Sequence, residues 1–253
     1  MKTLRTFYTV YGFFVFCVLF VVLFPLLLIP ITFPSQWRLT GIINRWWARL
    51  MFVGVGLPFR VEVKGSLDQS RQYIFCANHF SYLDIPTFGL NPVNAIFVGK
   101  NSIERVPLFG YMYGKLHITV DRASLRSRFN TMKQGMQAID EGKSLMIFPE
   151  GGMVATNPPQ MAPFKEGAFR LAIEKQVPIV PVTIVNNWII LPDPENRLHW
   201  GAVKIMFHEP LETQGMTVDQ TEELKQRTFQ VISLALKTEH KNYFPAQLTL
   251  SSQ

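Results

Sequence analysis

The sequence predicts an α/β fold, a mostly parallel or mixed sheet flanked by helices and preceded by an N-terminal helical membrane anchor. Three observations lead there. Short apolar runs recur from residue 59 onward with helical patterns between them, the alternation that builds a parallel sheet. Several of those runs are continuous rather than alternating, as in strands covered on both faces. Hydrophobic residues make up 48% of the chain, and much of that content falls before residue 60.

The first element is FYTVYGFFVFCVLFVVLFPLLLIPITF, residues 7–33, with no charge in it. It exceeds the roughly 20 apolar residues that a spanning helix needs. A secretory signal would have an apolar region of roughly 7–15 residues and a small-residue cleavage site, so the expectation is an uncleaved anchor. Pro25 and Pro30 fall inside the run, and proline kinks or ends a helix. Basic residues flank both sides, Lys2 and Arg5 before and Arg38 and Arg45 after, so no crossing direction is favoured. A re-entrant hairpin with both ends on the cytosolic side accounts for that symmetry. Next come Trp37, Trp46 and Trp47 beside Arg38, Arg45 and Arg49, predicting an amphipathic interfacial helix over Ser35–Leu57. Residues 1–58 are thus expected to anchor and 59–253 to form the catalytic or binding domain.

Charge agrees with a lipid partner. The net charge is +7, and no Asp or Glu occurs from Met1 to Val61. Positive charge beside aromatic and apolar residues suits an anionic bilayer. No nucleic-acid-binding signature is present, and no nucleic-acid partner is expected.

The strands are predicted at 59–63, 72–77, 94–98, 116–120, 144–148, 179–185 and 203–207. Leu125, Phe129, Met132, Met136 and Ile139 fall on one helix face. Thr217 to Lys241 reads as a long helix, with Thr217 and Gln220 at capping-box spacing. Pro178 and Pro181 are expected at a sheet edge or strand entry. Cys17 and Cys76 have no metal-ligand neighbours, so neither a disulfide framework nor a metal site is expected.

For chemistry, the chain has no G-x-S-x-G elbow, no Walker loop and no H-E-x-x-H. What stands out is Asn78-His79-Phe80-Ser81-Tyr82-Leu83-Asp84, directly after an apolar strand. Ligands bind at the carboxyl ends of strands in α/β sheets. With His79 in the loop and Asp84 in the first turn of a helix capped by Ser81, the two side chains can meet. An imidazole oriented by a carboxylate is a general base. The alternatives are a satisfied core histidine and a plain capping box of Ser81 and Asp84. Arg122 also follows a strand, and its guanidinium fits phosphate; otherwise it pairs with Asp121. Glu150 either accepts hydrogen bonds from substrate hydroxyls or caps the next loop. Gly151 and Gly152 either admit a ligand to the backbone or make a plain turn. Lys100 is either electrostatic or solvated surface.

Asn-His-x-Ser-x-x-Asp resembles the H-x4-D signature of the glycerolipid acyltransferases, whose best-known members make phosphatidic acid from lysophosphatidic acid. Lys100 to Arg122 reads K-x6-P-x2-G-x3-G-x6-D-R, similar to the family's second block; Phe148-Pro149-Glu150-Gly151 resembles the third and Val177 to Val182 the fourth. Phe164-Lys165-Glu166-Gly167-Ala168 also resembles the family. The resemblance implies acyl transfer with His79 and Asp84 catalytic, and substrate binding by Arg122, Glu150, Gly151, Lys100 and Lys165. It implies no cofactor besides acyl-CoA or acyl carrier protein as co-substrate. The implied partners are a lysophospholipid acceptor and the phospholipid bilayer at the cytoplasmic face of the cell membrane. One departure stands out. Gly152-Met153 occupies the place of the family's Thr-Arg, so Lys165 or Arg170 would have to supply the missing cation. A member with another lysolipid acceptor, or one that binds lipid without catalysis, remains the alternative.

Overall fold

A computed structural model describes residues 2–121 and 124–243. Seven strands form one sheet: β1 (Phe59–Val63), β2 (Ile74–Ala77), β3 (Ala95–Lys100), β4 (Ile118–Val120), β5 (Ser144–Ile147), β6 (Ile179–Ile184) and β7 (Val203–Phe207). All seven lie where the apolar runs predict them. Their order across the sheet is β1-β7-β6-β2-β5-β3-β4. Neighbours pair in parallel except β6 and β7, which are antiparallel. The five strands β6, β2, β5, β3 and β4 therefore deliver their carboxyl ends to one edge. The continuous runs take the middle: every residue of β2 and β6 is buried, whereas β1 at the edge is half open.

Side-chain alternation splits the core by face. Phe75 and Ala77 of β2 join a cluster with Phe97, Val180, Val182 and Ile205 on one side of the sheet. Ile74 and Cys76 join the other, with α5 (Leu125–Asp140), α6 (Gly167–Glu174) and α8 (Thr221–Tyr243). The predicted capping box is formed, by Thr217 and Gln220 at the short 3-10 turn that leads into α8.

Pro181 departs from its expected place, for it sits inside a central strand. Its carbonyl accepts from the His208 N–H, on the β7 side, while regular β6–β7 pairing starts at Val182. The missing N–H points the same way as that carbonyl, so the ladder to β2 loses nothing.

The N-terminal segment differs more. Lys2–Thr32 is one helix, α1, running through Pro25 and Pro30, and it is long and apolar enough to cross a membrane. The reversal falls later, at Phe33–Trp37, and α2 (Arg38–Val55) returns beside it. Tyr8 Oη donates to Val55 O at 2.9 Å and Tyr11 Oη to Gly54 O at 2.8 Å, tying the start of α1 to the end of α2. Lys2 and Gln36 thus lie at opposite ends of a helix about 46 Å long. Prolines survive inside a helix that neighbours support, and here α2 and α4 (Phe109–Leu116) pack along it.

The helix α2 is amphipathic, but its apolar stripe faces the domain. Ala48, Met51, Phe52 and Val55 belong to the same core as β2 and β6, so residues 1–58 do not pack as a separate body. Arg45, expected at headgroup level, donates instead to Asn91 O at 2.7 Å and Pro92 O at 2.9 Å. A second apolar line of α2, Ile42, Trp46, Leu50 and Val53, is exposed, as are Leu4, Phe7, Val10, Phe13, Phe14, Val21 and Val22 of α1. Gly56, in the left-handed region at φ 75°, ends α2 and turns the chain into β1.

Candidate active site

The site is assembled at the carboxyl edge shared by the five parallel strands. The loop after β2 carries Asn78, His79 and Ser81, and α3 (Asp84–Phe88) begins at Asp84. Asn78 fastens the loop to β6: its Nδ2 donates to Ile184 O at 2.9 Å and its Oδ1 accepts from Ile184 N at 2.8 Å. The side chain thereby continues the β2–β6 ladder by one more pair.

His79 and Asp84 meet, with Nδ1 3.0 Å from Oδ2. The same Oδ2 accepts from the amides of Phe80 at 2.7 Å and Ser81 at 2.8 Å. An oxygen already accepting from two amide N–H groups is placed to accept a third and not to donate, which puts the proton of a neutral His79 on Nδ1 and the lone pair on Nε2. Nε2 has no hydrogen-bond partner among the described residues. The ring stacks on Phe148, centroids 4.0 Å apart at 17°, which limits its rotation. Asp84 is 1% exposed and His79 8%.

The capping box forms only by half, through the Asp84 carboxylate on the Ser81 amide. Ser81 Oγ accepts from the Leu83 amide at 3.2 Å while Asp84 accepts from the Ser81 amide. Ser81 does not cap α3 directly, because α3 starts at Asp84, two residues later than such a cap requires. One carboxylate thus both closes the turn and orients the imidazole.

Glu150, in the turn just past β5, sits behind this loop. Its Oε1 accepts from the His79 amide and its Oε2 from the Ala162 amide, each at 2.8 Å, and the residue is 2% exposed. Of the two readings the sequence allows, acceptor contact or a cap of the next loop, these contacts make the loop cap, through the Ala162 amide. Burial pushes its carboxyl up to about 7, outweighing the two amides that pull it down. The ordinary value is about 4.5. The native chain therefore holds a proton there that the unfolded chain releases, and stability falls as pH rises from about 4.5 to 7 and then levels off. In Glu150→Gln that slope should vanish. Melting temperatures of both chains from pH 5 to 8 should show wild type losing ground up to pH 7; a pH-independent difference would contradict this.

Gly151 has φ 82°, and a Cβ there would lie 2.6 Å from Lys165 Nζ. The positive φ calls for glycine, and the end of the exposed Lys165 side chain is laid across the turn. Lys100 ends β3, exposed, in register with Val120 of β4. Arg122 lies outside the described residues. Arg170 is turned to Glu174 on the exposed side of α6, at 2.7 Å, and does not reach the turn.

One site residue escaped the sequence. Asn187 opens α7 (Asn187–Ile190) just past β6, is 1% exposed, and donates from Nδ2 to Asp84 Oδ1 at 3.0 Å and to Thr87 Oγ1 at 2.8 Å. Its signal was a polar pair, Asn186-Asn187, just past a fully buried strand.

A histidine–carboxylate dyad at the carboxyl edge of a mixed sheet defines a class of α/β transferase or hydrolase. Comparison narrows it: the Acyltransferase family model matches residues 59–185, and the chain belongs to that family. It is 30% identical over 196 residues to a 1-acyl-sn-glycerol-3-phosphate acyltransferase of Saccharomyces cerevisiae, a match over 76% of this chain and 63% of that one. It is 32% identical over 189 residues to a protein of the same name from Haemophilus influenzae, over 73% and 76% of the two chains. The match to the yeast protein therefore spans somewhat under two thirds of that protein's length. The crystal structure of the 1-acyl-sn-glycerophosphate acyltransferase PlsC from Thermotoga maritima has the same fold, with TM-score 0.78 at 21% identity over 94% of this chain and 97% of that one.

Proposed function

We propose that this protein transfers an acyl chain from acyl-CoA or acyl carrier protein to the free sn-2 hydroxyl of lysophosphatidic acid, giving phosphatidic acid. The observation that carries the reading is the His79–Asp84 pair, with Nδ1 held and Nε2 left for a substrate. Nε2 takes the hydroxyl proton as the oxygen attacks the thioester carbon. The C–O bond forms, the C–S bond breaks, and the proton passes from the imidazolium to the departing thiolate. Asp84 holds the tautomer and stabilises the imidazolium. No cofactor beyond the acyl thioester enters this route.

The acceptor phosphate needs cations, and the third block lacks its usual arginine. Lys165, lying over Gly151, supports the reading that it takes over part of that work, with Lys100 at the carboxyl end of β3 on the same edge; Arg122 is proposed as a further phosphate ligand from its sequence motif alone. Arg122→Ala should raise the KM for lysophosphatidic acid tenfold or more and leave that for the acyl donor within about twofold, with Lys restoring only part, since a point charge does not replace a bidentate fork. Equal effects on both substrates would count against a phosphate role. Gly152-Met153 also favours one second reading, another lysolipid acceptor, which steady-state rates on an acceptor panel in detergent micelles would distinguish.

The bilayer is the proposed location, at its cytoplasmic face. The domain packs on α1 from Tyr8 to Ile31, which favours the α1–α2 hairpin lying in one leaflet over α1 crossing alone. Unique cysteines near Lys2 and Gln36, with Cys17 and Cys76 removed, should both resist an impermeant thiol reagent in intact cells and react after permeabilisation. Labelling of the Lys2 site alone in intact cells would mean that α1 crosses.

A further inference from the structure

Asp84 presents two oxygens, and only one faces His79. Oδ2 is held by His79 Nδ1 and two loop amides, all from residues 79–81. Those contacts fix one atom of the carboxylate; the rotation of the group about it depends on the other. Oδ1 accepts from a side chain 103 residues away in the chain, Asn187 Nδ2. The amide is itself held, since Nδ2 also donates to Thr87 Oγ1, whose hydroxyl donates to Leu83 O at 2.7 Å. Asn187, Asp84 and Thr87 are each no more than 1% exposed. The amide can face Asp84 only by its NH2 group, because its oxygen would meet a carboxylate oxygen without a hydrogen between them.

We infer that Asn187 is a positioning residue of the dyad: it orients the Asp84 carboxylate and, through it, the His79 ring. This rests on the acyl-transfer reading above, in which His79 is the base. The element that carries Asn187 follows β6, and β6 is also the strand to which Asn78 fastens the other side of the loop. The ring is thereby referenced to one strand through two independent asparagine contacts. An aliphatic or reversed polar group at 187 would leave Oδ1 buried without a donor and free the carboxylate to turn.

Two variants read this out. Asn187→Ala should lower kcat at least tenfold with KM for donor and acceptor within about twofold, per mole of folded protein judged by circular dichroism. Asn187→Asp keeps the shape and places a second carboxyl 3.0 Å from Asp84. Two carboxyls at that distance retain a shared proton to raised pH. While it is retained, residue 187 still donates; once it is lost, the two charges repel. The Asn187→Asp to wild-type ratio of kcat should therefore fall at least tenfold between pH 6 and 8.5. A packing role would not tie the ratio to pH. A ratio constant across that range, or a native kcat in Asn187→Ala, overturns the inference; should Asn187→Asp fail to fold, the kcat and KM values of Asn187→Ala decide it alone. His79→Ala is assayed alongside. Its inactivity with normal Asn187 variants rejects the role of Asn187 only, whereas an active His79→Ala removes His79 as the base, the part of the acyl-transfer reading on which this inference rests.

Discussion

Replacing His79 with alanine should cut turnover by about 10²–10⁴-fold, the usual worth of a general base. The expectation follows from geometry. His79 Nδ1 is committed to Asp84 Oδ2 at 3.0 Å, the ring is stacked on Phe148, and Nε2 has no partner among the described residues. Among the described residues, Glu150 is not placed to take over the proton, since both its oxygens are on backbone amides. The loop should survive the change. Its frame is made by Asn78 with Ile184, by Asp84 with the Phe80 and Ser81 amides, and by Glu150 with the His79 backbone rather than its ring. The acceptor KM should therefore change little. Kinetics on purified variant, with circular dichroism to confirm folding, make the comparison, and near-native turnover in a folded chain would remove His79 from the mechanism.

The second large effect is at Asp84, where Asp84→Asn should abolish most activity and also cost stability. Sequence spacing alone would put a lost helix cap at about 0.5–1 kcal/mol. The structure raises that figure. Four donors converge on this carboxylate: His79 Nδ1 and the amides of Phe80 and Ser81 on Oδ2, and Asn187 Nδ2 on Oδ1. An asparagine must aim its NH2 either at the three donors of Oδ2 or at the Asn187 amide. Either way a buried donor faces a donor, and the loss should be about 1–3 kcal/mol. Turnover should fall with it, because the imidazole loses both its tautomer lock and the charge that stabilises the imidazolium. Denaturant unfolding beside steady-state rates separates the two effects. A destabilised but fully active variant would leave Asp84 as a cap and nothing more.

What the sequence makes legible here is uneven for physical reasons. Buried parallel strands announce themselves as continuous apolar runs, so all seven strands stand within a few residues of expectation. The His79–Asp84 contact was legible too, because five residues spanning a loop and a first turn leave few other ways for the side chains to lie. The antiparallel turn of β7 against β6 was not, since direction leaves no mark on composition. Pro25 and Pro30 misled, for a rule drawn from isolated helices gives way where α2 and α4 support α1. Arg45 misled likewise: beside Trp46 and Trp47 it reads as a headgroup contact, yet it is spent on carbonyls of the loop before β3. Glu150 was found by its motif but turned inward. Asn187 was missed because its partner, Asp84, is distant in sequence and near only through the β2–β6 pairing.

The central claim is a proton removed from an acceptor hydroxyl so that it attacks a thioester. The most direct measurement is therefore release of free thiol from acyl-CoA and from acyl carrier protein, followed with and without lysophosphatidic acid in detergent micelles. The account predicts thiol release that depends on lysophosphatidic acid, matches phosphatidic acid formed one for one, and disappears in His79→Ala. Thiol release at the same rate without acceptor, or none with any lysolipid in a folded wild-type chain, would contradict it.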